Sequence, residues 1–411
     1  MRVLHVTASL SPHYGGPTAA VLAMARGLVA QGVDVTVYAP DLLQMPKWLS
    51  TGATALGSNV PPIPRGVDVE FFPTRWPHRY GFAPTLAARL RRTAPTFDVI
   101  HIHSIYRFST VTAARSAIAA GVPFLVRPHG TLLPYLLKRG AIARRTYLRL
   151  VERRYLDKAA AIHYTSEEEM LQSQSVGLRA PGLVIPLGID QDDIDLPGSH
   201  DRFLETHPEL SGKRLLVTVA RVAPQKGVDI LSDAFSKLSA AHPDLQLVIA
   251  GPDDNGFAAQ VASKLDRAGL TNRVSWLGLV TGEAKRDLLE ATSVWALPSR
   301  AENFGMAVVE AMGRGLPIVI SDQVNIHTEV AAAGAGLVTT CDSADVAQAI
   351  DRLLRNPALG ARLGAAGYRL VRLRYTHETV ARELIRAYTR LLDNGPADVQ
   401  LNPHYLTREQ T

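Results

Sequence analysis

Apolar residues fall into short runs, each ending at a glycine- or proline-bearing turn and followed by residues at helical spacing. Val3 to Thr7 reads as a first strand, the segment Ser11-Pro12-His13-Tyr14-Gly15-Gly16-Pro17 as a turn, and Thr18 to Ala30 as a helix capped by Gly32. A second strand, Asp34 to Tyr38, follows. The same order returns in the second half: strand Leu215 to Ala220, turn Arg221 to Gly227, helix Val228 to Leu238, strand Leu245 to Ala250, then Gly251-Pro252. Runs at 99–102, 124–126, 274–277, 294–297 and 317–320 continue the alternation of strands with helices. Such runs joined by helical crossovers predict parallel sheets covered on both faces. The fold class is therefore α/β, with two doubly wound domains, residues 1–190 and 205–376. The joint is expected at Ile185 to Asp190 and the acidic, Pro/Gly-bearing stretch up to about Ser211. A last amphipathic helix spans about Glu378 to Leu392 and stops before Asn394-Gly395-Pro396.

Ligands of open α/β sheets bind at the carboxyl ends of the strands. There the densest chemistry is the segment Pro298 to Pro317. Glu302 precedes the Asn303-Phe304-Gly305-Met306 turn, and Glu310 lies inside the following helix. Free N–H groups at that helix start favour a phosphate or sugar oxygen, and Glu310 suits the vicinal hydroxyls of a ribose. Glu302 is left for another polyol. Arg221 and Lys226 occupy the turn after the strand Leu215 to Ala220, where cations can neutralise a pyrophosphate. The alternative for each is a surface cation in a solvated loop. Gly15-Gly16 sits where backbone approaches a phosphate closely, or is only a turn needing positive φ. It does not complete the Gly-x-Gly-x-x-Gly fingerprint, which argues against a nicotinamide or flavin enzyme.

Four histidine- or arginine-bearing positions lie near strand ends in the first half. His129-Gly130 follows the strand Phe124 to Val126 through Arg127-Pro128, so His129 can face a reacting group or serve as a structural hydrogen bonder. His103 and Arg127 are candidate acceptor contacts. His101 and His103 are expected on opposite faces of their strand, unable to share a metal.

Length and composition narrow the class. A chain of 411 residues exceeds one ordinary core, and 46% hydrophobic with 20% charged residues fits a soluble globular protein. No apolar run is long enough to span a bilayer, and the N-terminus lacks a signal-like apolar core, which predicts a cytoplasmic protein. Cys341 is the only cysteine, so no internal disulfide forms. No Cys/His cluster has metal-ligand spacing. Through Asp190 there are 21 Lys plus Arg against 11 Asp plus Glu, and beyond it 23 against 27, so the whole basic excess belongs to the first half. Much of it lies in Lys138-Arg139 and in a helix expected over 143–158, with Tyr147, Leu148, Leu150, Val151, Tyr155 and Leu156 on its apolar side. That helix is either a solvated face or a surface for anionic lipid.

These motifs in this order resemble the retaining glycosyltransferases of family 4, the group 1 glycosyltransferases of GT-B fold that build bacterial cell-surface polysaccharides. The resemblance rests on Gly15-Gly16-Pro17, Asp98 to His103, His129-Gly130, Ile185 to Asp190, Arg221 to Gly227, Ala250-Gly251-Pro252, Pro298-Ser299 and the Glu302/Glu310 pair. It implies two Rossmann-like domains facing across a deep cleft, an acceptor domain and a donor domain, with the last helix (378–395) crossing back to the first. It implies Glu310 on the ribose and Arg221 and Lys226 on the diphosphate, assisted by backbone at Gly16, Gly305 and Met306. Gly251 and Leu279 would lie near the base. Glu302, Asn303, Phe304 and Gly305 would hold the donor sugar, with His129 on its reactive face. Expected partners are a UDP- or GDP-sugar and a glycan or lipid-linked acceptor, with no nucleic acid. No cofactor and no metal are expected, because Arg and Lys neutralise the leaving diphosphate; the location expected is cytoplasmic, peripheral on the inner face of the plasma membrane if the basic helix is a lipid surface and not a solvated face. At Arg300-Ala301 many relatives carry a Tyr-Ser type pair, and no specificity is drawn from the departure. Competing readings are a GT-B phosphorylase or sugar-nucleotide epimerase, and a nucleotide-sugar-binding protein without catalysis.

Overall fold

The computed structural model describes residues 1–11, 16–41, 62–134 and 141–395. Gly15, Lys138-Arg139 and the polar tail after Gly395 lie outside them. The chain divides into two units, one made of residues 1–188 with 377 onward, the other of residues 189–376.

The first unit holds seven parallel strands: β1 (Arg2–Val6), β2 (Asp34–Asp41), β3 (Val67–Pro73), β4 (Val99–His103), β5 (Phe124–Arg127), β6 (Ala161–Tyr164) and β7 (Gly182–Val184). Their order is β3-β2-β1-β4-β5-β6-β7, so the winding reverses between β1 and β4. The central strands β1, β4, β5 and β6 bury both faces, which is why they read as near-continuous apolar runs, whereas the edge strand β3 is partly exposed. One face carries Leu4, Val6, Ile100, Ile102, Val126 and Ile162 into a core with the helices Pro84–Thr93 and Phe108–Ala120. The other face packs under the helices Gly16–Ala30 and His377–Asn394. Those two helices meet closely: a Cβ on Gly27 would lie 2.9 Å from the His377 carbonyl oxygen. The last helix thus belongs to the first unit, where Val380, Leu384, Ala387, Tyr388 and Leu391 complete the core.

The second unit has six parallel strands: β8 (Arg214–Val219), β9 (Leu245–Ala250), β10 (Val274–Gly278), β11 (Val294–Leu297), β12 (Ile318–Ser321) and β13 (Leu337–Thr339). Their order is β10-β9-β8-β11-β12-β13, with the reversal between β8 and β11. The acidic stretch expected as a joint is instead folded onto this unit. Arg202 on the helix His200–Thr206 grips Asp287 through two bonds of 2.6 Å, and Arg314 donates to the carbonyls of Ile194 and Leu196. Opposite charges on locally helical segments gave this stretch a partner that composition does not reveal.

The helix expected over 143–158 runs from Ala141 to Leu156 with a π turn at Leu148–Glu152. A π turn inserts a residue and rotates the face beyond it. Leu148, Glu152 and Leu156 therefore point inward, while Leu150, expected on the apolar side, is 68% exposed. No helix among the described residues is long and apolar enough to cross a membrane.

Candidate active site

The second unit gathers most of the expected residues at its switch point. The turn after β8 and the turn after β11 are laced together by backbone and side chains. Arg300 N–H donates to the Gln225 carbonyl at 2.8 Å, and its guanidinium spans Pro224 O and both oxygens of Asp229. Gly227 sits against the Pro298 carbonyl at φ +66°, with no room for a Cβ. Gly251, at φ +149°, lies equally close to the Ala220 carbonyl. Only glycine meets both demands, positive φ and close backbone approach.

Within this frame Lys226 Nζ donates to Glu302 Oε2, and both side chains are largely buried. Glu302 is held by its own backbone, through Glu302 N to Gln323 O (3.0 Å) and Asn325 N to Glu302 O (3.0 Å). Glu310, on the helix Met306–Gly313, accepts from Lys285 Nζ at 2.9 Å. Burial pushes the Glu310 carboxyl up, against the pull of the Lys285 ammonium. Lys285 was not found from the sequence; it lies 25 residues away on the helix Gly282–Glu290, which no motif marks. Arg221 pairs at 2.9 Å with Asp254, on exposed surface at the end of β9. Gly305 (φ +90°) begins the helix and Met306 is its first residue. The Gly251 N–H donates to Gly278 O at 2.6 Å, placing that loop beside Leu279, which is 73% exposed. Phe304 departs from its expected role as a sugar contact: its side chain is buried edge-on against Tyr375, 5.6 Å between centroids, and anchors the turn. A carboxylate has two oxygens, so Glu302 and Glu310 can each keep a lysine and still accept from a hydroxyl.

The first unit brings its histidines together. His101 and His103 share one sheet face with rings stacked 4.5 Å apart, which corrects the expectation of opposite faces; residues two apart on a strand point the same way. His5, in register with His101, joins them, as do Arg127 and His163 on β5 and β6. All five are buried under the helices Gly16–Ala30 and His377–Asn394. His103 and Arg127 are accordingly not surface contacts for an acceptor, because a central strand of a doubly covered sheet hides both faces. The Arg127 guanidinium meets Met24 Sδ at 3.2 Å and His163, and burial lowers its pKa to about 10. Burial likewise holds His5 at about 3 and keeps His101, His103, His129 and His163 well below the ordinary histidine value. His5, His101 and His103 each offer a nitrogen within 4.8 Å of the others. Both nitrogens of His101 and of His103 are already hydrogen bonded, and the Arg127 charge bears on all three rings. That set fits a hydrogen-bonded array better than a divalent cation.

His129 ends the array at the carboxyl edge of β5, at φ +52°, a left-handed backbone costly for a histidine. The turn is held by Glu169, whose buried carboxylate accepts from Gly130 N (2.8 Å), Thr165 N (2.7 Å) and Thr165 Oγ1 (2.6 Å). Glu169 was legible only as the fourth residue of a Ser-x-x-Glu helix start at Ser166. Gly16 is exposed at the first residue of its helix.

Residues 15–188 match the family model "Glycosyl transferase 4-like domain", and residues 200–370 match "Glycosyl transferases group 1". The chain is 30% identical over 367 residues to the D-inositol 3-phosphate glycosyltransferase of Mycolicibacterium smegmatis, covering 85% of this chain and 81% of that one. It is 28% identical over 387 residues to the phosphatidyl-myo-inositol mannosyltransferase of Mycobacterium leprae, covering 93% and 94%. Among solved structures, Anabaena Alr3699/HepE in complex with UDP superposes with a TM-score of 0.75 at 21% identity, over 95% of this chain and 100% of that one. Sucrose-phosphate synthase from Thermosynechococcus elongatus gives 0.72 at 18%, over 95% and 99%. Two parallel-sheet units, both family matches and these relatives agree: the chain belongs to the group 1, GT4-type glycosyltransferases of GT-B fold.

Proposed function

We propose that the chain is a retaining hexosyltransferase that takes its sugar from a nucleoside diphosphate sugar and passes it to a glycan or lipid-linked acceptor in cell-surface glycan or glycolipid assembly. The observation that carries this reading is the pair of lysine–carboxylate contacts, Lys226–Glu302 and Lys285–Glu310, at the switch point of the second unit. In this reading Glu310 accepts from the ribose hydroxyls, while Arg221, Lys226 and the N–H groups at Gly305 and Met306 hold the diphosphate. Gly16 offers a further N–H, and Gly251 and Leu279 border the base. Glu302, with the Asn303 to Gly305 turn, holds the donor sugar, and His129 acts on its reactive face. The cations stabilise the leaving diphosphate, so transfer needs no metal. Attack and departure on the same face then retain the anomeric configuration. UDP and UDP-glucose complexes of Anabaena Alr3699/HepE support a nucleotide-sugar donor. The activities of the mycobacterial relatives support an inositol-bearing or lipid-linked acceptor. The basic surface with exposed Ile142 and Leu150 supports peripheral attachment to an anionic membrane.

A thermal-shift screen against UDP-, GDP- and ADP-sugars, with EDTA present, tests the donor. One nucleotide sugar should raise Tm by mass action, and about 2.7 kcal/mol of stabilisation is expected at a hundredfold excess over Kd. Proton NMR of the product should show the donor's anomeric configuration retained. No shift with any nucleotide sugar, or an inverted product, overturns the reading.

A further inference from the structure

Two hydrogen-bonded lines run through the buried face of the first unit, and their ends fix where the protons lie. In the first line His163 Nε2 approaches the Ile185 carbonyl at 2.8 Å. A carbonyl only accepts, and its 2.8 Å contact is far shorter than the 3.4 Å from the donor-only Arg127 Nη1 to the same nitrogen, so His163 carries its proton on Nε2 and accepts at Nδ1. His101 Nε2, 3.2 Å from that Nδ1, must then donate, and His101 Nδ1 accepts from the Tyr388 hydroxyl at 2.7 Å. Every ring in this line has one donor and one acceptor, as neutral imidazole requires. The line ties the last helix to β4, β6 and the segment after β7.

The second line joins His5 Nδ1 to His103 Nε2 at 2.8 Å, and His103 Nδ1 to His129 Nε2 at 3.2 Å. Its inner end is His5 Nε2, which is buried and has no hydrogen-bond partner among the described residues. Two proton orders satisfy the inner bonds. If the protons lie on the Nδ1 atoms of His5 and His103, a bare lone pair is left at His5 Nε2. The reverse order leaves an N–H there, and an orphaned buried N–H is the rarer and costlier of the two. The neighbouring Arg127 has two buried donors, Nε and Nη2, without partners among the described residues, and its positive field acts on His5. That field also favours a lone pair over another N–H.

We propose that His5 and His103 are positioning residues that set the tautomer of His129: His129 accepts at Nε2 from His103 and keeps its proton on Nδ1. A neutral histidine in water prefers the proton on Nε2, so the array imposes the less common form. With its Nε2 lone pair occupied, His129 serves as a hydrogen-bond donor through Nδ1 rather than as a base through Nε2. Its part in transfer rests on the function proposed above; its tautomer does not.

The full chain labelled with 15N-histidine tests this by long-range 1H–15N correlation, with His129→Asn identifying the His129 signals. The wild type should show a protonated Nδ1 and an unprotonated Nε2 at His129. His103→Leu, which removes the donor, should return His129 to the Nε2–H form. His103→Asn, whose amide nitrogen replaces Nδ1 as donor, should keep the Nδ1–H form. An Nε2–H tautomer in the wild type overturns the proposal even where a variant fails to fold, as does an unchanged tautomer in folded His103→Leu. In transfer assays, His103→Leu should lower kcat about tenfold or more with donor KM little changed, and His103→Asn should recover most of it. Absence of all transfer activity alongside the expected tautomer counts against the proposed function, not against the array.

Discussion

The ammonium of Lys226 donates to the carboxylate of Glu302, joining the turn after β8 to the turn after β11 across 76 residues of sequence. A cation proposed for the diphosphate and a carboxylate proposed for the sugar thus pair with each other. On the proposed function, a diphosphate would share or take over Lys226 while Glu302 accepts from sugar hydroxyls. Lys226→Ala and Glu302→Gln should each lower transfer by about a hundredfold to a thousandfold, with far-UV circular dichroism unchanged. Full activity in both variants would remove the site assignment.

Glu310 and Lys285 form the second pair, and their proposed job is binding rather than bond breaking. Glu310→Gln should raise donor KM with a smaller change in kcat, the pattern of an interaction shared by ground and transition states. Lys285→Met leaves the Glu310 carboxyl buried without its cation, so its proton should be retained to higher pH and donor affinity should weaken as well. Titration calorimetry of both single variants and the double variant measures the coupling; additive losses would show that the two side chains act independently.

Four buried histidines and the half-buried His129 should make the fold acid-sensitive in a defined window. His5 titrates at about 3 in the fold against an ordinary 6.5, and His101, His103, His129 and His163 are lowered too. Below pH 6.5 the unfolded chain binds protons that the folded chain refuses. Stability should therefore fall as pH drops through 6.5, by about 1.4 kcal/mol per pH unit for each such proton. Glu152 acts with the opposite sign. Burial raises it from 4.5 to about 8, so the fold holds its proton at neutral pH and loses stability as pH rises through that interval. Urea denaturation at pH 7.5, 6.5 and 5.5 should show a loss of several kcal/mol by this arithmetic. Glu152→Gln, which removes the opposing group, should steepen it. A flat profile would mean that the histidines are hydrated or charged in the fold.

The π turn at Leu148–Glu152 sends Leu150 outward, on the same helix as exposed Ile142 and the arginines 144, 145 and 149. Arg153 is engaged within the protein surface, donating to the Gly177 carbonyl at 2.5 Å and pairing with Asp157. Replacing Arg144, Arg145 and Arg149 by Gln should weaken partitioning onto phosphatidylglycerol vesicles by about fivefold per residue at low salt. Binding to neutral vesicles should not change. Equal cosedimentation of variant and wild type would leave the helix as a solvated face.

Sequence alone carried the alternation of strands and helices, because burying both faces of parallel strands demands apolar runs whatever the neighbours are. It also placed Glu302, Arg221 and Lys226 at strand ends and Glu310 in the helix that follows, because turn residues mark those ends locally. Strand order, and with it the meeting of Lys226 with Glu302 at the β8/β11 reversal, depends on contacts far apart in the chain, which spacing does not encode. Lys285, Asp254 and Glu169 were missed for that reason: each is an ordinary charged residue until the fold sets it against its partner. His103 and Arg127 were misplaced because a strand's end looks exposed in one dimension, whereas two helices cover it in three. Local chemistry determined which side chains were available; long-range burial decided which could be charged, which could be paired, and which could be reached.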